Sequence, residues 1–287
     1  MRPKNLHTKI FLDSGDTEET KQAIQMLGFL DGQTTNPSLI AKTPAARNRL
    51  ARGEKFSEEE VYGYYQKIVM ELSNIIPSGS ISIEVYADAK TTAEEMYKQG
   101  KEINAWIPNA HIKLPITAAG LTVAEKFVKE GIRVNMTLCF SQEQAAAVYG
   151  ATIGAKKGDV FISPFIGRLD DKGENGIDLV KNILKMYEQG DGHVEVLAAS
   201  LRNLEHLMAV FAMRCDIATV PLGVVQELAQ DKTKMSDQSF HYNKPHLQPI
   251  IYQNIDLKKN WRDFNIKHEL TDKGIEKFSD DWNSLIK

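Results

Sequence analysis

The sequence predicts an α/β fold, a single (β/α)8 barrel (TIM barrel) with a C-terminal helical extension. Three observations carry that expectation. Short β-branched or apolar runs alternate with longer segments of helical periodicity, and the alternation occurs eight times. Within the runs, polar residues fall on one parity, as a closed parallel sheet with helices outside it requires. The length of 287 residues suits one large barrel, and no low-complexity run or linker argues for a second domain.

In chain order the expected strands are 9–13, 30–36, 80–86, 110–114, 133–139, 159–165, 194–200 and 216–220. Gly100, Gly131, Gly150 or Gly154, and Gly190 fall where a helix should end before the next strand. Asp16 and Glu19 form a start signal for the first helix. Asn36 before Pro37 suits a helix N-cap and, equally, a substrate contact. Two segments fall outside the repeat. The charged stretch 42–60 adds to the second helical region. From 230 to 287 the chain is first polar and Pro-containing, then helical over 271–286, and is expected to pack on the barrel or on a neighbouring subunit.

Composition narrows the class of function. With 35 Lys and Arg against 38 Asp and Glu the formal charge is -3, so nothing calls for nucleic acid as a partner. Cys139 and Cys215 are far apart, the usage of a reducing cytosol, and neither joins a metal-binding pattern. The apolar run after the basic N-terminus is too short for a signal peptide, and no stretch approaches the roughly 20 apolar residues of a membrane span. A soluble, cytoplasmic protein without metal or organic cofactor is the expectation.

Strand parity gives the polar residues a direction. Ile81, Ile83 and Val85 share one face, leaving Ser82 and Glu84 on the other. Ile112 and Leu114 face the helices, so His111 and Lys113 face inward. Val134, Met136 and Leu138 lie outside, and Asn135 and Thr137 inside. Asp13 and Ser163 follow the same rule in the first and sixth strands. Most lie near C-terminal strand ends, where barrel enzymes build their active sites. His111 reads better as a satisfied lower-layer group than as a catalyst.

A lysine flanked by Ile112, Leu114 and Pro115 loses solvation of its charged form, which frees a neutral amine to attack a carbonyl. The iminium so formed draws electrons from a bond two carbons away, and Asp13 is the candidate base for the hydroxyl there. Glu84 and Thr137 suit the water and proton traffic of imine formation, although Glu84 could simply be the buried ion-pair partner of Lys113. Arg168 and Arg202 follow the sixth and seventh strands with Ser200 beside them. Either alone could be a surface salt bridge; together they favour a phosphate.

Seven motifs now stand in order: Phe11-Leu-Asp13, Gln33-Thr-Thr-Asn-Pro-Ser38, Ile83-Glu84-Val85, Ile112-Lys-Leu-Pro115, Val134-Asn-Met-Thr137, Ile162-Ser-Pro-Phe-Ile-Gly-Arg168 and Ala199-Ser-Leu-Arg202. In these the chain resembles the transaldolase family. The resemblance implies that Lys113 attacks the ketone of fructose 6-phosphate and Asp13 drives release of glyceraldehyde 3-phosphate. The dihydroxyacetone unit left on Lys113 then passes to erythrose 4-phosphate, giving sedoheptulose 7-phosphate in the pentose phosphate pathway. It further implies that Asn36, Asn135 and Ser163 hold the dihydroxyacetone unit, that Arg168, Ser200 and Arg202 receive the phosphate, and that Thr35 and Phe165 complete the substrate site. Homo-oligomers are the family's habit.

The family's smaller fructose 6-phosphate aldolases release dihydroxyacetone instead, and tend to carry Gln and Tyr where this chain has Glu84 and Phe165. Those two residues favour transfer. Leu201 departs from an aromatic common in the longer transaldolases, and the length falls between the two branches. Against these enzymes stands a non-catalytic sugar-phosphate-binding barrel that keeps the arginines but not turnover.

Overall fold

In the computed structural model, which describes residues 2–236 and 239–287, eight parallel strands close into a barrel in sequence order, β1 to β8. The first half runs β1 (Lys9–Asp13), α1 (Thr17–Leu27), β2 (Gly32–Thr34), α2 (Pro37–Ala41), α3 (Pro44–Ala51), α4 (Glu58–Ile75) and β3 (Ser80–Glu84). The chain continues through α5 (Ala93–Asn104), β4 (Ala110–Pro115), α6 (Ala118–Lys129), β5 (Val134–Cys139) and α7 (Gln142–Ala151). Then come β6 (Val160–Pro164), α8 (Ile166–Asp170), α9 (Gly176–Tyr187), β7 (Val194–Ala198), α10 (Leu204–Ala212), β8 (Ile217–Val220) and α11 (Leu222–Gln230). The last helix is α12 (Glu269–Asn283). No helix among the described residues is long and apolar enough to cross a membrane.

Six strands fall a residue or two inside the expected limits, while β1 keeps them and β4 runs one residue further, to Pro115. β2 stops at Thr34 because Asn36 already caps α2, its side chain accepting from Leu39 N at 2.9 Å. The stretch 42–60 forms α3 and then the start of α4, where Ser57 and Glu60 make a reciprocal capping box. Two glycines do not end helices as expected. Gly100 lies inside α5, where a side chain would strike the Phe127 ring at 2.7 Å, and Gly150 lies inside α7 against Trp261. The turn after α7 is made by Gly154, at φ +94°.

Register sets the layers inside the barrel. Glu84 pairs with Lys113 and Lys113 with Asn135 across β3, β4 and β5, so three polar side chains stand at one height. One layer lower, Ser82 pairs with His111. His111 is satisfied there, 2.7 Å from Ser80 Oγ and 2.9 Å from the Gly158 carbonyl, stacked on Phe161, and burial pushes it down to about 3. A neutral, fully engaged ring belongs to the core.

Residues 239–268 run over the outside of the barrel as a largely irregular strap. Side-chain amides fasten it: Gln142 bonds the Gln253 backbone in both directions, and Asn182 donates to the Ile250 carbonyl at 2.7 Å. The strap delivers α12 across the C-terminal mouth, against α2 and β5. There Trp282 packs edge-on to Tyr62 and against Tyr65. Replacing Trp282 with Ala should cost about 3–5 kcal/mol, read as a lowered denaturant midpoint, because a large buried ring leaves a cavity.

Candidate active site

A cavity of about 390 Å³ opens at the C-terminal mouth, lined among others by Asp13, Asn36, Lys113, Ser163, Phe165, Arg168, Ser200 and Arg202. Eight residues singled out from the sequence thus share one wall. Four others, Thr35, Glu84, Asn135 and Thr137, stand behind that lining.

Lys113 is 3% exposed and forms the floor. Its Nζ lies 2.9 Å from Glu84 Oε2 and donates to the Thr35 carbonyl at 3.3 Å. The approach to Glu84 is close enough for an ion pair but poorly directed for a hydrogen bond, so Oε2 has no hydrogen-bond partner. Thr137 Oγ1 is also buried without one. Only four buried side-chain atoms among the described residues lack a partner, and one of them, Glu84 Oε2, stands beside the amine. An unmet polar atom beside a buried amine is where a ligand oxygen or a water finds its bond.

Asp13 is partly open to the cavity, yet protein packs so closely around it that burial pushes its carboxyl above the usual value, against the pull of Lys113 and Thr34. The Thr34 hydroxyl donates to Asp13 Oδ1 at 2.8 Å, and Thr219 completes the chain 2.6 Å from Thr34. Glu84 is raised for the same reason, burial outweighing Lys113 and Arg168. Carboxyls that hold protons more readily suit proton exchange.

Ser163 donates to Asn135 Oδ1 at 2.7 Å, and Asn135 passes its own N–H to Ser82 at 3.0 Å. Asn135 therefore fixes Ser163 from behind. Asn36 serves as the α2 cap while lining the cavity, so its NH2 is the group left to offer. Thr35 turns its hydroxyl away, to Tyr65 and the Ser82 carbonyl, and only its own carbonyl reaches the site.

The two arginines differ. Arg168 lies between the rings of Phe165 and Phe278, with centroids 5.2 and 5.3 Å away, and is aimed by stacking. Arg202 is half exposed and shares its charge with Asp171 at 2.7 Å. Gly167 lets their loops meet, since a side chain there would fall 2.3 Å from Arg202 Nε and 2.4 Å from the Ser200 carbonyl. Ser200 sits in the left-handed region, at φ +58°, a strained geometry found at functional sites.

Residues 10–287 match the family described as transaldolase/fructose-6-phosphate aldolase. The chain belongs to that family. Proteins called probable transaldolase lie at 34% identity in Dehalococcoides mccartyi, covering 97% of this chain and 100% of the relative, and at 35% in Caulobacter vibrioides, covering 96% and 97%. A third, from Herpetosiphon aurantiacus, is 34% identical over 96% of both chains.

Several site residues of this family member escaped the sequence reading. Thr34 and Thr219 were legible in strand alternation, Thr219 standing between the outward Ala218 and Val220. Lys42, Lys277 and Phe278 also line the cavity but come from α2's end and α12, where no strand parity applies.

A carboxyl raised by burial binds its proton more tightly folded than unfolded. Its contribution to stability is present at low pH and is lost as pH climbs through the folded value. At neutral pH the Asp13 carboxylate therefore opposes folding. Asp13→Asn should raise the urea midpoint at pH 7, and the gain should shrink as pH falls to below the ordinary carboxylate value of 3.8.

Proposed function

We propose that this chain is a transaldolase acting through a Schiff base on Lys113. The observation that carries the reading is the buried Lys113 amine at the cavity floor, 2.9 Å from Glu84 Oε2. Lys113 Nζ attacks the C2 ketone of fructose 6-phosphate, and Glu84, raised by burial, takes the amine's proton. Water leaves C2 through Glu84 and Thr137, giving the iminium. Asp13 then removes the C4 hydroxyl proton, the C3–C4 bond breaks, and glyceraldehyde 3-phosphate departs. The three-carbon enamine attacks the aldehyde of erythrose 4-phosphate, whose oxygen recovers the proton from Asp13. Hydrolysis at C2 frees sedoheptulose 7-phosphate and Lys113.

Arg168, Ser200 and Arg202 take the phosphate of donor and acceptor in turn. Asn36 and Ser163 orient the dihydroxyacetone hydroxyls, with Asn135 behind Ser163. Phe165 gives the substrate an apolar wall and supports Arg168. The reaction exchanges carbon in the pentose phosphate pathway, and we read the protein as a cytoplasmic homo-oligomer. Glu84 and Phe165 favour transfer over release.

Sedoheptulose 7-phosphate and free dihydroxyacetone should be assayed with fructose 6-phosphate, with and without erythrose 4-phosphate. Transfer should dominate; rapid release without acceptor would make the enzyme an aldolase. Lys113→Ala should lose roughly 10³-fold or more in transfer, and unchanged turnover would refute the lysine's role. Because Asp13 must be ionised to act, kcat/KM should fall as pH drops through its raised value, and this acid limb should lie above the ordinary carboxylate value of 3.8.

A further inference from the structure

We propose that Phe278, carried by α12, is the wall that keeps water from the lysine-bound three-carbon unit, and so decides whether that unit passes to an aldehyde or is released. The proposal rests on the Schiff-base reading of Lys113.

Phe278 is 6% exposed and lines the same cavity. Its ring centroid is 5.9 Å from Lys113 Nζ and 5.3 Å from Arg168 Cζ. One side chain from outside the barrel thus spans the space between the nucleophile and the anion-binding arginine. The strands supply polar atoms on their side of the amine, and Phe278 supplies hydrocarbon on the other.

The helix that carries this ring is fastened along its length. Thr271 donates to the Leu138 carbonyl at 2.9 Å and accepts from Gln144 at 2.8 Å. Gly274 allows the close approach, since a side chain there would lie 2.5 Å from Leu138 and 2.7 Å from Arg168 Nη1. Further on, Asp281 accepts from Ser38 of α2 and from Lys277. Beyond the helix, Phe56 N donates to the Leu285 carbonyl at 2.8 Å. Phe278 is therefore a built wall, held from both ends.

The chemistry gives such a wall a task. After the C3–C4 bond breaks, C3 of the enamine carries the electron pair. In transfer, C3 bonds the acceptor's aldehyde carbon, and the aldehyde oxygen takes the proton from Asp13. In release, C3 takes a proton from solvent while Asp13 gives the C4 hydroxyl proton back to solvent, water adds to the C2 iminium, and the C2–N bond breaks to give dihydroxyacetone and the Lys113 amine. Hydrolysis at C2 ends both routes, and Glu84 with Thr137 serves it from the strand side. Protonation at C3 belongs to release alone. An apolar ring on the open side of Lys113 withholds the solvent proton donor until an aldehyde arrives.

The test compares the full chain with Phe278→Ala and Phe278→Leu, using fructose 6-phosphate and a fixed concentration of erythrose 4-phosphate. The readout is the ratio of dihydroxyacetone released to sedoheptulose 7-phosphate formed. Phe278→Ala should raise the ratio by about tenfold or more, and Phe278→Leu, which keeps most of the hydrocarbon, should stay within about threefold of the parent. A purely structural role would lower both products together, so an unchanged ratio in Phe278→Ala overturns the proposal. Should that variant fail to fold, Asp281→Ala loosens α12 from α2 with the ring retained; a rise of about threefold or more supports the wall, and no rise overturns it. A parent that forms no sedoheptulose 7-phosphate would overturn the transaldolase reading itself, an outcome distinct from an unchanged ratio.

Discussion

The contact between Lys113 and Glu84 is the constraint on which the rest of this structure depends. An amine and a carboxyl are held side by side where almost no solvent reaches them. Neither is tolerable there without the other, since removing one partner leaves an uncompensated polar group in a low-dielectric interior. The barrel supports the pair geometrically: β3 and β4 place the two residues opposite each other in register, and closure brings Asp13 on β1 to the same cavity. Burial pushes both carboxyls above the ordinary range. In the proposed mechanism, the cost in stability is the counterpart of having proton carriers beside Lys113.

The opposite end of the cavity is built on another principle. Arg168 has two aromatic rings beside it, whereas Arg202 keeps an acidic partner near solvent. A stacked guanidinium keeps its donors free and aimed, and an exposed pair exchanges its partner for an incoming anion at little cost. Gly167 and the strained Ser200 bring the two loops together, the arrangement that the proposed phosphate site uses.

Much of this was legible in the sequence because a parallel barrel has a strict rule of parity. With one face of each strand committed to the helices, Asp13, Glu84, Lys113, Asn135 and Ser163 had only one place to point. The same rule would have found Thr34 and Thr219. It turns Thr35 outward with Gln33, toward Tyr65 of α4, and so did not support placing the Thr35 side chain in the site. Nor could it find Phe278, far along the chain and brought to the mouth by a strap whose path is set by side-chain amides. Gly100 shows the same limit: a glycine needed for close packing on Phe127 looks, in sequence, like a helix stop.

The central claim is that Lys113 is the residue that bonds to substrate. Borohydride reduction in the presence of fructose 6-phosphate, followed by peptide mass mapping, tests it most directly. One reduced three-carbon adduct is expected, located on Lys113 and absent without substrate. An adduct on another lysine, or none while the enzyme turns over, would contradict it.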